Sequence, residues 1–282
     1  MKKWTRFLAL PSVVIAIGGC VTTQQKPGRT AESEPSALAP HLAQEVSRAE
    51  ILGQEIYKKD VKGALATDAM LAEGIIQKDA RLRGWVVAQT EDVWRVHFVG
   101  HVDGKPCELY TVVFDQDDER ACSIHRVNPP APLTGSLAAS YAARETAIAA
   151  PIPRSFERYN TVVLPARLIG ESGWLVYLLA ATTKPGEVIF GRHYRFLLSE
   201  DGGDIIQTTA LTRGDVVVEA SDATTLLNVT HIISDTPIET HVFLSLLHNI
   251  PITVSIPKDG VGHIWAVAKG EIMDTGIRLK YR

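Results

Sequence analysis

Three times along this 282-residue chain a short β-rich segment is followed, across a polar or glycine-containing turn, by a strand that opens Trp-x-Val. The leading segments are Val86-Val87-Ala88-Gln89, Val162-Val163-Leu164-Pro165 and Val254-Ser255-Ile256-Pro257. Their partners are Trp94-Arg95-Val96, Trp174-Leu175-Val176 and Trp265-Ala266-Val267. A helical apolar pattern precedes each pair, so the repeated unit is helix, first strand, turn and tryptophan strand. After the first two pairs a further hairpin is opened by Tyr110-Thr111-Val112-Val113-Phe114 and by Tyr194-Arg195-Phe196-Leu197-Leu198, with acidic turns at Asp115–Glu119 and Ser199–Asp204; the third copy lacks one. An apolar helix stripe and an apolar sheet face must cover each other. The expected fold class is therefore α+β: repeated units of an amphipathic helix packed on an antiparallel β-meander, with the tryptophans on the buried face.

Leu42, Val46, Ala49 and Ile56 recur at helical spacing, and Asp60 offers an N-cap to a second helix carrying Val61, Leu65 and Leu71. The period then changes to two through Trp85–Gln89, Val93–Gly100 and Leu109–Phe114, with Asp103-Gly104 as a turn. Asn128-Pro129-Pro130-Ala131-Pro132 interrupts regular structure and marks a module boundary. Beyond it Leu137, Tyr141 and Ile148 share one side of an alanine-rich helix with Ser136 as cap and Pro151 past its end. Later, Thr236, Pro237 and Glu239 suit Ncap, N1 and N3 of a helix whose stripe is Ile238, Val242 and Leu246. The helix-plus-meander modules expected are 41–128 and 135–282, the latter containing a shorter third repeat at about 225–272. This element order resembles PepSY-like and cystatin-like modules, a likeness that implies a helix laid on an antiparallel sheet and no particular activity.

The first residues carry a different message. Lys2, Lys3 and Arg6 precede an apolar run from Phe7 to Ile17, and Ile17-Gly18-Gly19-Cys20 follows. That run is too short to cross a hydrocarbon core, which needs roughly 20 apolar residues, and it suits a cleaved leader. The four residues around the cut resemble a lipobox. That resemblance implies a bacterial lipoprotein precursor with a signal peptide at 1–19 and acyl chains attached at Cys20, two or more of which anchor a protein stably. Val21 in place of aspartate implies an outer-membrane address facing the periplasm. From Cys20 to Pro40 the sequence is rich in Thr, Gln, Pro, Ser and Glu, a composition that predicts a flexible tether.

Removal of residues 1–19 takes three positive charges, leaving 26 Lys and Arg against 32 Asp and Glu. An acidic body argues against nucleic acid as a partner, since that is bound through clustered Lys and Arg. Of the two remaining cysteines, an oxidising compartment would permit Cys107 and Cys122 to pair. A hairpin of Leu109–Phe114 with Ser123–Val127 would instead set Cys107 opposite a residue near 128, too far for a bond that needs about 4.4–6.8 Å between α-carbons.

His231, Asp235, Glu239, His241, His248 and His263 form the densest group of reactive side chain types. Imidazoles and a carboxylate could together hold a metal, making His231, Glu239 and His241 the candidate catalytic residues of a metal-dependent hydrolase. The spacing opposes this, because no two histidines stand four apart on one helical face as in His-Glu-x-x-His sites. Asp115, Asp117 and Glu119 alternate like calcium ligands, but Arg120 and Arg126 replace the Gly and Glu that an EF-hand loop requires. Phe190-Gly191-Arg192-His193-Tyr194-Arg195 suits an outward strand face with snorkelling arginines. Nucleophile motifs and phosphate-cradling glycine loops are missing from the sequence. The expectation is a lipid-anchored envelope protein with no cofactor, whose modules bind a protein, peptide or glycan.

Overall fold

The computed structural model describes residues 38–91, 93–115 and 122–280. Cys20, the leader, the tether up to Ala37 and the acidic turn at 116–121 lie outside the described residues, whose compact unit begins at Leu38.

Helix α1 (Pro40–Ala72) opens with proline at its first position, where no amide hydrogen is needed. It leads through the short α2 (Ile75–Lys78) into the strands β1 (Leu82–Thr90), β2 (Val93–Val102), β3 (Lys105–Phe114) and β4 (Cys122–Pro132), an antiparallel meander in that order. Asp103 and Gly104 both take positive φ at the β2–β3 turn, as a tight hairpin requires. Helix α3 (Gly135–Ala149) precedes β5 (Arg158–Pro165), β6 (Trp174–Ala181), β7 (Glu187–Ile189), β8 (Tyr194–Leu198) and β9 (Ile205–Ala210). The second sheet has the order β5-β6-β8-β9, while β7 pairs with β10 (Val217–Glu219) in a two-stranded ribbon. The third is β11-β12-β13-β14, built from β11 (Leu227–Thr230), then β12 (Ile252–Lys258), β13 (Val261–Ala268) and β14 (Glu271–Lys280). Helix α4 (Glu239–His248) connects β11 to β12, which run parallel, so α4 is a crossover helix. The fold is α+β, with four α-helices and mostly antiparallel sheets among the described residues. None of these helices is long and apolar enough to cross a membrane.

Several expectations give way. The two helices predicted either side of Asp60 are one, and Asp60 is a buried mid-helix residue whose Oδ1 accepts from Asn160 Nδ2 at 3.0 Å. Asn128–Pro132 does not interrupt regular structure, because β4 runs through it. As an edge strand β4 tolerates prolines, which remove amide hydrogens that no neighbour needs. Ser136 lies inside α3, whose N-cap position is Thr134. The third sheet adds one strand, β14, after its tryptophan strand, where the first two sheets each add a pair. Trp94 faces Gln89 and Trp174 faces Pro165, the last residues of their leading segments, whereas Trp265 faces Val254, the first of its own. Trp265 is buried; Trp94 and Trp174 share the apolar faces of Val96 and Val176 but sit at strand ends, only partly covered.

A ladder irregularity between Glu108 and Tyr110 moves Cys107 opposite Pro132, while Cys122 pairs with Phe114 at the other end of β3. Seven residues of strand, about 23 Å, separate those positions, so both cysteines are free thiols rather than a disulfide.

Helix α1 touches all three large sheets. Its first half packs Val46, Ala49, Leu52 and Ile56 with α4, the third sheet and one face of the second. Its second half packs Ala66 and Met70 onto the first sheet. The other face of the second sheet is covered by α3, so β6 is buried on both sides and reads as an unbroken apolar run from Leu175 to Ala180. Two glycines in α1 mark close approaches. A Cβ on Gly53 would stand 2.5 Å from Val242 Cβ and 2.6 Å from the Glu239 carbonyl, and one on Gly63 would enter the Trp85 ring. Gly to Ala in an ordinary helix interior is stabilising by about 1 kcal/mol; here overpacking reverses the sign. Gly53→Ala and Gly63→Ala should each lower stability by about 1–3 kcal/mol in urea unfolding, and a gain from either would refute the close packing.

Candidate functional site

The flagged residues are divided by the fold. His231 leaves β11 at the point where its amide hydrogen reaches the Ser255 carbonyl, and α4 brings His241 edge-on to it, with ring centroids 4.9 Å apart. Glu239 opens α4 beside them and is 3 % exposed. Asp235 turns outward to Lys258, His248 lies at the far end of α4, and His263 stands on β13 opposite Arg278. The segment Phe190–Arg195 is not an outward face: Phe190, His193 and Tyr194 are buried, and His193 joins the same polar cluster.

Each polar group there has a definite partner. Tyr177 on β6 and Arg195 on β8 are direct cross-strand neighbours. Both donate to Glu239 Oε1, the tyrosine hydroxyl at 3.0 Å and the guanidinium Nη1 at 2.6 Å. The Ile238 amide hydrogen donates to His241 Nδ1 at 3.1 Å, so the helix is capped from its third residue by histidine rather than by Thr236 and Glu239. A neutral His241 therefore carries its proton on Nε2. His193 accepts from the Ala180 amide on Nδ1 and donates from Nε2 to the Ile189 carbonyl, tying β6 to β7. Ser234 Oγ donates to the Thr236 carbonyl at 2.7 Å, so His231 Nε2, 2.7 Å from that oxygen, must be the donor to it. These tautomers follow from the network of partners.

The polarity of the His231–Ser234 contact opposes nucleophilic catalysis. An activated serine must give its proton to an imidazole nitrogen, and this one gives it to a backbone carbonyl. Metal binding fares no better, because Glu239 is held by Tyr177 and Arg195, and among the described residues no group of three or more His, Cys, Asp or Glu side chains is placed to hold a metal ion. A cavity of about 240 Å³ lies over His231 and His241, walled by Phe190, Val216, Ile232 and Ile233. Its walls are mostly apolar, and Thr212, Arg213 and Thr230 join the two imidazoles in its lining. Comparison of the chain with protein-family models, curated proteins and solved structures found no match.

Burial holds all three imidazoles neutral. His193 and His231 are lowered to about 4, in His231 against an opposing pull from Glu239, and His241 is pushed further down by the two neighbouring rings. A base whose folded pKa lies below its unfolded value of about 6.5 binds fewer protons when folded, so its contribution is complete above 6.5 and drains away as pH falls towards 4. Each of His193 and His231 can cost up to about 3 kcal/mol over that window. Urea unfolding from pH 7.5 to 4.5 should show falling stability, with a shallower slope in His231→Gln; an unchanged slope in that variant would remove His231 from the account. For the buried carboxylate, Glu239→Leu should destabilise by about 3–5 kcal/mol because Arg195 loses its counter-charge. Glu239→Leu combined with Arg195→Leu should recover part of that loss, and simple additivity in this double-variant cycle would argue against the pair.

Proposed function

We propose that this chain is a bacterial lipoprotein, anchored through Cys20 to the outer membrane on its periplasmic side, whose folded body acts by binding. The observation that carries the proposal is Ile17-Gly18-Gly19-Cys20 at the end of a basic and apolar leader, followed by a polar stretch up to Pro40. Two acyl chains would hold the protein on a bilayer where an acidic body has little attraction of its own. The tether would then give the body reach from the surface. What favours binding over bond-making chemistry is the commitment of the polar cluster: His193, His241 and Glu239 each hold backbone or sheet neighbours, and Ser234 is oriented as an acceptor from His231.

The body is proposed to descend from repeated helix-on-meander units of the PepSY-like or cystatin-like kind. The series α1 with β1–β4, α3 with β5, β6, β8 and β9, and α4 with β12–β14 supports this. The partner class is a protein, peptide or glycan of the envelope. The anchor is tested by metabolic labelling with an alkyne fatty acid. Wild-type protein should incorporate label and fractionate with membranes, whereas Cys20→Ala should remain unlabelled and either uncut or soluble. Labelling that persists in Cys20→Ala would overturn the address.

A further inference from the structure

A second cavity, of about 430 Å³, opens between α4, the end of β6 and the middle of α1. Leu179, Phe243, Leu244 and Leu247 give it apolar walls, and Asp60 and Asn160 are the polar residues at its α1 and β5 side. Asp60 is 5 % exposed. Its Oδ1 accepts from the Asn160 amide, and its side chain is not among the sealed polar groups that lack a partner, which are Tyr141 Oη, Arg144 Nε, Tyr159 Oη and Trp265 Nε1. Neither carboxylate oxygen is thus shut away without a bond, and the cavity is the space this side chain borders.

The fold has no need of a charge at this point. Asn160 requires only an acceptor, which an amide or hydroxyl would supply without the large penalty of burying an ion. Burial instead lifts the Asp60 carboxyl to about 6, offset only by the Asn160 hydrogen bond, with no cation contributing. The other charged or titratable groups around it are few. Lys59, next on α1, points its ammonium at the Val87 and Val163 carbonyls; α4 contributes His248; the segment into β7 contributes Lys184 and Glu187, which pair with each other at 3.3 Å. A buried anion facing a cavity with apolar walls, short of a counter-ion, is the complement of a cation with an apolar body.

We propose that this cavity binds a primary ammonium group carried on a small apolar body, with the Asp60 carboxylate as counter-charge and the Leu179, Phe243 and Leu244 side chains around the apolar part. A free amine, a peptide amino terminus and a lysine side chain share that chemistry. The assignment stands apart from the membrane address, since it uses only residues of the folded body, and loss of acyl labelling at Cys20 would not touch it.

Titration calorimetry of the full chain with phenethylamine, 2-phenylethanol and phenylalanine amide tests it. Both amines should bind saturably, and the alcohol at least about tenfold more weakly, because it lacks the charge. Phenethylamine stays protonated across the range, so its affinity should fall about tenfold between about pH 7.5 and pH 5 as Asp60 takes up a proton. His248→Gln should keep that pH dependence, and Asp60→Asn should abolish both it and most of the binding while unfolding no earlier than wild type. Should Asp60→Asn fail to fold, Leu247→Arg sets a cation at the cavity rim and should weaken amine binding about tenfold more than it weakens alcohol binding. A preference for phenylalanine amide over phenethylamine would point to a peptide amino terminus, and the reverse to a simple amine, each within the proposed class. Equal binding of amine and alcohol, undiminished binding by Asp60→Asn, a pH dependence lost in His248→Gln, or no saturable amine binding would each overturn the proposal.

Discussion

The contact on which the arrangement of sheets depends is made by one side chain in the middle of α1. Lys59 Nζ donates to the Val87 carbonyl of β1 at 3.0 Å and to the Val163 carbonyl of β5 at 2.8 Å. Those strands are the edges of two different sheets. An edge strand carries carbonyls without a ladder partner, and burying them unpaired costs as much as losing a hydrogen bond. A single ammonium has three donors and can serve both edges at once. Its burial lowers the Lys59 pKa to about 8, with Glu55 pulling the other way, so the group is cationic at neutral pH while bearing a desolvation cost. The helix must therefore be continuous through this point, since only a rigid α1 places Lys59 between the edges while Gly53 meets α4 and Gly63 meets Trp85.

A second polar centre ties the second sheet to α4. Glu239 joins cross-strand Tyr177 and Arg195 to the first residue of the helix, in a position where its negative charge also suits the helix N-terminus. The arrangement explains why so much hydrogen-bonding capacity sits inside an apolar core. His193 and His241 close bonds that a strand end or helix end would otherwise leave open, His231 bonds Ser234, and Glu239 is shared by the Tyr177 hydroxyl and the Arg195 guanidinium.

Much of this was legible in sequence, and the exceptions have physical causes. Helical and strand periods located α3, α4 and most strands because each element has one dominant apolar face. The continuity of α1 was hidden by Lys58-Lys59-Asp60, a polar run that imitates a solvated break; Lys58 is indeed exposed beside Glu55, but Lys59 and Asp60 turn inward to β1 and β5. Proline at 129, 130 and 132 imitated a break in regular structure because an edge strand and a linker tolerate the same residue. The parallel pairing of β11 with β12 left no mark, since four residues of strand carry no readable period. His231, Glu239 and His241 were found because they lie close in sequence. Tyr177 and Arg195 were missed because they stand 62 and 44 residues from Glu239, and His193 because a histidine between arginine and tyrosine looks like surface.

The adjacency of Lys59 and Asp60 shows how a helix separates functions within one turn. Neighbouring residues on a helix point about 100° apart, so opposite charges at successive positions cannot pair along the axis. Lys59 turns to the carbonyls of β1 and β5, and Asp60 turns to Asn160 and the cavity beside α4. Had the two stood four apart they would have neutralised each other on one face, leaving the sheet edges unpaired and the cavity without a charge. Their spacing lets the cation be consumed by the fold while the anion stays uncompensated. The structural charge and the available charge thus arise from the same buried stretch of α1.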